Sequence, residues 1–399
     1  MKLITQQIAE HIKDSSWIRR MFEVGLEMKK RFGAENVFDF SLGNPDVPTP
    51  AKAADVLREM ADHANDPLYF GYVSNAGLQD VRQALATHLT DQQKSPITAD
   101  DIVLTCGAAG AMNVIFHSIL EDKEEVVCPA PYFAEYRFYV ENHSGKLIPV
   151  KCKPFTFELD LPTIKNAITP ATRAVLLNSP NNPSGRVYPT EQLQELANLL
   201  RKLSEGRDRP IFLILDEPYR FLAYDGLEPP AVMPFYDFSM SVASFSKSHS
   251  LAGERIGYVA VNPGMPNKSE LLHGMITVNR TLGFVNAPII GQYLLKNILD
   301  TGVNVDIYAE RRKAMADILR NAGIDFATPD GAFYFFPKVP GNITDETWID
   351  ILKEEKILAV PGLGFGYPGY FRMSFCVNKE TILNAEPALK RAADKARSL

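Results

Sequence analysis

The sequence has no long apolar run, few cysteines and no surplus of basic charge, and each shortage closes off a class of protein. Nowhere do eighteen apolar residues follow one another, so no membrane-spanning helix is expected. The opening stretch MKLITQQIAEHIKDSSWIRRMFEVG is polar and charged throughout and lacks the apolar centre of a secretory leader. Four cysteines, Cys106, Cys128, Cys152 and Cys376, are too few and too scattered for a disulfide framework or a zinc site. Their mostly apolar surroundings read as buried free thiols in a reducing cytoplasm. Lysine and arginine number 42 against 48 acidic residues, a net charge of −6 that offers no footprint for nucleic acid. No internal repeat or low-complexity tract interrupts the chain. What remains is a cytoplasmic protein that deals with small molecules, with neither nucleic acid nor membrane as a partner.

What is present is the balance of an ordinary globular chain: 399 residues, 46% hydrophobic and 23% charged. That length exceeds what one core supports and predicts two domains or lobes. WIRRMFEVGLEMKKRF, residues 17–32, and GLQDVRQALATHL have apolar positions at helical spacing. Between the two helices lies an extended Pro- and Gly-rich segment, Val37 to Pro50. Beyond them come seven short apolar runs: DIVLTC, EEVVCPAP, GKLIPVKC, TRAVLLNSP, IFLILDEPY, SVASFS and IGYVAVN. Helical stretches such as GAMNVIFHSIL and TEQLQELANLLRKL separate them, which predicts an α/β fold with a mostly parallel sheet covered on both faces. From about Tyr293 the rhythm changes to helix–strand–helix–strand–helix, with helices over Ile307–Ala322 and around Thr347–Glu355, as in a smaller α+β domain. The expected division is an arm with part of the small domain over 1–45, a large domain over 46–290 and a small domain over 291–399.

Ligands of open α/β sheets bind beyond the carboxyl ends of strands, so polar residues ending apolar runs deserve scrutiny. SFSKSHSLAGERIGY ends such a run at Lys247. A lysine near another cation and away from water has a depressed pKa, and its neutral amine can form a Schiff base with an aldehyde. Arg255 supplies a cation and can clamp a phosphate, while Ser244 and Ser246 are small donors. Read plainly, Lys247 is a surface lysine after a strand. Asp216, after five apolar residues, either caps the helix after it or holds a pyridine nitrogen protonated. Tyr219 and Asn182 can donate to a ring oxygen, although NSPNNPSG also suits a turn. GAAG, Gly107–Gly110, joins a strand to a helix, where free amides attract an anion. Phe133 either lies against a flat ring or fills the core. Arg372, inside the apolar YFRMSFC, either grips a substrate carboxylate or pairs at a sheet edge.

Lysine after small residues, arginine eight residues on, aspartate–x–x–tyrosine about thirty residues upstream and NNPSG before it together resemble the class I/II aminotransferases, fold-type-I pyridoxal-phosphate enzymes. The resemblance runs from LGNPDVPTP through YVSNAGLQDVR to FRMSF. It implies pyridoxal 5′-phosphate as cofactor and the fold-type-I architecture, a large domain built on a seven-stranded sheet plus a smaller α+β domain. It implies that Lys247 forms the Schiff base and shuttles a proton, that Asp216 pairs with the ring nitrogen, and that Asn182 and Tyr219 bond the ring oxygen. Ser244, Arg255 and the amides of Ala108 and Ala109 would hold the phosphate, Phe133 would stack on the ring, and Arg372 would take the substrate α-carboxylate, with Gly43 beside it. Tyr72 matches a tyrosine that reaches the phosphate of a neighbouring subunit, which implies a homodimer with shared active sites. GAAG lacks the hydroxyl residue or glutamine of many relatives, and Arg280 lies about one position away from an arginine that reads a distal carboxylate in the aspartate branch. The expected activity is transfer of the amino group of an L-amino acid to a 2-oxo acid. The alternative on the same fold is a carbon–sulfur β-lyase. A non-catalytic effector-binding module is disfavoured, because the first forty residues have neither the length nor the basic charge for a DNA-binding segment.

Overall fold

The computed structural model describes residues 3–13 and 17–399; residues 1, 2 and 14–16 of the expected arm lie outside the described residues. A two-residue strand β1 (Phe38–Asp39) precedes seven strands that match the seven apolar runs: β2 (Ile102–Cys106), β3 (Glu125–Ala130), β4 (Lys146–Lys151), β5 (Thr172–Asn178), β6 (Phe212–Asp216), β7 (Ser239–Ser244) and β8 (Ile256–Val261). They form one sheet in the order β2-β8-β7-β6-β5-β3-β4. Only β8 runs against its neighbours β2 and β7. The sheet is therefore mostly parallel, as the alternation of strands and helices requires.

Both faces of the inner strands are buried, which explains why they read as apolar runs, while the edge strand β4 is partly exposed. Along β5, Ala174 and Leu176 enter one core with Met112, Ile115 and Phe116 of the helix Gly107–Ile119. Val175 and Leu177 face the opposite core with Leu193, Leu196 and Leu200 of the helix Thr190–Ser204. The period of two puts successive side chains on opposite sides, and a helix waits on each. A further cluster packs Val81, Leu85 and Leu89 of the helix Gln79–Gln93 against Ile102, Leu104 and Tyr258.

The helix Val305–Asn321 leads into the carboxyl-terminal region, where β9 (Tyr334–Phe335), β11 (Val360–Pro361) and β12 (Phe371–Ser374) form a three-stranded sheet with β12 in the middle, and β10 (Ile357–Leu358) pairs with β1. Helices Asp345–Glu354, Lys379–Asn384 and Glu386–Arg397 cover it, and its core gathers Trp348, Phe333, Phe335, Phe371 and Leu389. The expected succession of one strand between each pair of helices is too simple. The two-residue strands β10 and β11 carry no period for a sequence pattern to show. The helices Gln6–Lys13 and Lys52–Asp62 are not expected from the sequence either. All four cysteines are free, but Cys106 is only half-buried, because it ends β2 at the edge of the sheet where the strands open onto a cleft.

Candidate active site

The carboxyl ends of β5, β6 and β7 and the start of the helix after β2 converge on this cleft. Ala108, Ala109, Phe133, Asn182, Asp216, Tyr219, Ser244, Ser246, Lys247 and Arg255 all line it. Ten sequence candidates spread over 148 positions thus share one wall. They do so because parallel strands deliver all their carboxyl ends to one edge of the sheet.

Asp216 ends β6 and is buried, 6% exposed. Oδ2 accepts a hydrogen bond from the Tyr136 hydroxyl. Asn178 donates to the Asp216 main-chain oxygen at 2.9 Å and lies 3.5 Å from Oδ2. Oδ1 has no partner among the described residues. An orphaned buried acceptor is costly and calls for a donor from outside the chain. Burial pushes the Asp216 carboxyl up to about 7, with the Tyr136 bond opposing and neighbouring Glu217 adding to the rise. A cationic N–H against Oδ1 would remove that penalty and restore the carboxylate.

Lys247 follows β7 in the short helix Phe245–Ser248. Its Nζ donates to the Gly43 carbonyl at 2.5 Å and stands 5.9 Å from the centre of the Phe333 ring. Burial lowers its pKa to about 8; Cys376 opposes that fall, while Arg372 and Arg255 contribute to it. The cation expected beside this lysine is therefore present twice. Gly43 has to be glycine: a Cβ there would sit 2.0 Å from the Tyr334 hydroxyl.

At the other end of the cleft the helix Gly107–Ile119 presents its first amides. Arg255 donates within the chain to Ala252 O at 3.1 Å. Its guanidinium lies where a side chain on Gly107 would be, 2.8 Å from the position of that Cβ. Gly257 brings β8 against this turn, for its own Cβ would meet the Gly107 carbonyl carbon at 2.6 Å. Free amides, two serines and a guanidinium make a cradle for a phosphate-sized anion.

Arg372 lies on the central strand β12, 1% exposed, so the reading as an edge arginine paired on the surface is excluded. Nη1 donates to Asn182 Oδ1 at 3.0 Å and Nη2 to Ser41 O at 2.5 Å, while Nε has no partner among the described residues. The guanidinium stacks on Tyr334 at 4.6 Å and Phe365 at 5.0 Å. Burial lowers its pKa, and its hydrogen-bond partners among the described residues include no carboxylate. Tyr219 shares a 2.8 Å hydrogen bond with Tyr334, which puts its hydroxyl beside the same arginine.

Two candidates lie elsewhere on the chain. Tyr72 is 92% exposed and does not line the cleft, and Arg280 is exposed in the last turn of the helix Lys268–Thr281. Three residues of the site escape the sequence reading. Asn178 ends an apolar run as Asp216 does, which is a usable signal. Tyr136 stands three residues after Phe133, but nothing in sequence aims it at Asp216. Tyr334 is concealed in the aromatic run of GAFYFFPKV.

An amine with a lowered pKa, set between an anion cradle, an acceptor waiting for a ring N–H and a guanidinium waiting for a carboxylate, on an α/β sheet, defines a class: enzymes that form an imine with a phosphorylated aldehyde and act on a carboxylate. The model of a family described as aminotransferase class I and II matches residues 35–389. A probable aspartate/prephenate aminotransferase of Aquifex aeolicus is 30% identical over 380 residues, covering 90% of this chain and 92% of its own. A probable aspartate aminotransferase of Methanocaldococcus jannaschii is 29% identical, covering 96% and 97%. Among solved structures, an amino transferase from Eubacterium rectale superposes with a TM-score of 0.94 at 36% identity over 99% of this chain and 100% of the other. Aspartate aminotransferase from Thermus thermophilus with maleate gives 0.87 at 25% identity over 98% and 100%. The chain belongs to the class I and II aminotransferases and is a transaminase.

Proposed function

We propose that this protein uses pyridoxal 5′-phosphate to move the amino group of an L-amino acid to a 2-oxo acid, with Lys247 as the imine-forming base and Asp216 as the partner of the ring nitrogen. The observation that carries the reading is the unpartnered Asp216 Oδ1 in the same cleft as the Lys247 amine. The residues fit the group: Ala108, Ala109, Ser244 and Arg255 for the phosphate, Phe133 against the ring, Tyr219 and Asn182 near its oxygen. When bound, the cofactor supplies an aldehyde that takes up an amine and a ring that draws off the electron pair left when Cα–H breaks.

The chain's own part follows from its geometry. Arg372, held by Asn182 and Ser41, receives the substrate α-carboxylate as a fork and so fixes the orientation of Cα. The Lys247 amine, with its pKa lowered toward neutrality, takes the Cα proton as general base and returns it as general acid. Asp216 keeps the ring nitrogen protonated throughout. The aromatic wall of Tyr219, Phe333 and Tyr334 limits water around these groups and strengthens each charge.

The relative named for aspartate and prephenate, both dicarboxylates, puts dicarboxylic partners first in a substrate screen. A second copy of the chain belongs to the same proposal: Leu68, Phe70 and Tyr72 are 88%, 47% and 92% exposed on one short segment, a surface suited to a homodimer. So does the division into a large cofactor-holding unit and a smaller carboxyl-terminal one, supported by the separate seven-stranded and three-stranded sheets, and a cytoplasmic location, supported by four free thiols. Among the described residues no helix is long and apolar enough to cross a membrane. The test is to add pyridoxal phosphate to the pure protein, reduce with borohydride and map the label, then supply an L-amino acid with and without a 2-oxo acid. A label on Lys247 and oxo-acid-dependent amine transfer are expected. An unlabelled protein overturns the reading, and pyruvate with ammonia released from a cysteine conjugate, independent of oxo acid, replaces it with the β-lyase.

A further inference from the structure

The segment carrying Gly43 is held by its carbonyls, one after another. Phe40 O accepts from Ser374 N at 2.8 Å, Ser41 O from Arg372 Nη2 at 2.5 Å, Leu42 O from Cys376 Sγ at 3.5 Å and Gly43 O from Lys247 Nζ at 2.5 Å. Two of these donors are the charged groups of the cleft. The position of this backbone therefore sets where both point.

Three residues beyond Gly43, Asp46 is gripped by Arg311, with Nη1 to Oδ1 at 2.6 Å and Nη2 to Oδ2 at 3.0 Å. Arg311 stands on the helix Val305–Asn321 and is 8% exposed. Exposed ion pairs are worth little, but a two-pronged pair with one partner buried has geometry that resists displacement. Pro45 stiffens the short link, so a shift at Asp46 is passed to Gly43. The same helix reaches Lys247 by a second route. Tyr308, whose ring lies 5.7 Å from the Arg311 guanidinium, stacks on Phe333 at 5.7 Å, and Phe333 faces Lys247 Nζ. Neither Asp46 nor Arg311 lines the cleft.

We propose that Asp46 and Arg311 are positioning residues, whose forked pair fixes the 40–46 segment so that Ser41 O aims Arg372 at the substrate carboxylate and Gly43 O holds the Lys247 amine whenever it is free. The inference rests on the proposed function of the cleft, and the two fail differently. Removing Asp46 alone leaves the buried Arg311 charge without its partner and weakens the fold. The informative variants are the charge-neutral pair Asp46→Asn with Arg311→Met, and Arg311→Lys, which keeps the charge without the fork. Each is loaded with pyridoxal phosphate and followed by melting temperature, by the pH midpoint of the lysine–cofactor imine absorbance, and by KM and kcat for an L-amino acid. The expected result for the double variant is cofactor retention and near-native melting, a displaced imine midpoint, and a KM raised about tenfold with a smaller loss in kcat. Tenfold corresponds to one lost charge-assisted hydrogen bond. Arg311→Lys should move the same quantities less. A folded, loaded variant of either kind with native KM and native midpoint overturns the positioning role. A wild-type protein that forms no imine at all takes down the proposed function of the cleft, and this inference with it.

Discussion

Two cavities flank the carboxyl end of β6, and adjacent carboxylates of DEPY face them, Asp216 on one side and Glu217 on the other. Both carboxylates are buried. Glu217 is fully employed: Oε1 accepts from Gln93 and Ser241, and Oε2 from Arg220 at 2.6 Å. The two histidines of its cavity are likewise paired, His249 with Ser248 and Ile298 O, and His88 with Gln92. Asp216 keeps one oxygen without a partner, and across its cleft Arg372 keeps Nε. Burial and charge alone do not distinguish a site from scaffolding. Among the described residues Asp216 Oδ1 is the orphaned carboxylate oxygen, whereas the other orphaned side-chain atoms, such as Gln93 Oε1 beside Glu217, belong to neutral groups or are guanidinium nitrogens. An unmatched buried carboxylate oxygen is the costlier and marks a place for an outside donor.

If that contrast is right, mutations on the two sides should fail in different ways. The largest effect belongs to Lys247→Ala. Turnover should fall by roughly 10⁴-fold, the upper range for a positioned acid–base group, while the cooperative unfolding transition persists; rapid-mixing measurement of the half-reaction with one amino acid checks it. Native-like rates in this variant would remove Lys247 from the chemistry.

Stability offers a sharper comparison, because the neighbouring carboxylates should respond with opposite sign. Folded Asp216 keeps its proton up to about pH 7, whereas the ordinary carboxyl loses it near 3.8. The fold is thus favoured below 3.8 and loses stability as pH rises through 7. In cofactor-free protein, Asp216→Asn should abolish this dependence and raise stability at pH 8 by an amount on the order of 4 kcal/mol at most. Glu217→Gln should lower it by about 3 kcal/mol, as expected for breaking a satisfied buried pair. Urea unfolding at pH 5 and pH 8 decides both, and equal signs would erase the distinction. Lys247 adds a window of its own: with its pKa lowered from 10.5 to about 8, it contributes stability above 10.5 that is lost as pH falls through 8.

How far the sequence reveals this arrangement depends on the kind of signal. The seven strands are legible because a sheet largely buried on both faces leaves apolar runs. Asp216 is legible because it ends such a run, and Lys247 and Asn182 because they stand just after one. Arg372 stands out as a charge inside an apolar strand. Asn178 is equally visible at the end of its strand. Tyr136 and Tyr334 are not legible, since a buried tyrosine and a phenylalanine leave the same pattern and only the fold shows where the hydroxyl points. The bond between Asp46 and Arg311 spans 265 positions, a pairing that no local period encodes. The two-residue strands β10 and β11 are too short to alternate. Tyr72 and Arg280 lie outside the cleft of the single chain, so their expected roles find no support in its geometry.

Weaker perturbations test the same contrast by degrees. Arg372→Lys retains the charge but loses the planar fork, so kcat/KM should fall about 30-fold, roughly 2 kcal/mol, mostly through KM. Tyr136→Phe should do less. The hydroxyl supports the ionised form of Asp216, and its loss removes one hydrogen bond to a charged group, about 1.5 kcal/mol or a little over tenfold. Because that bond opposes the rise caused by burial, the variant should protonate Asp216 at still higher pH. The pyridoxal phosphate dissociation constant should then increase with a pH dependence steeper than that of the wild type. Titrating cofactor into the variant at pH 6, 7 and 8 reads this directly. A parallel offset at all three values would mean that Tyr136 only fills space beside the carboxylate.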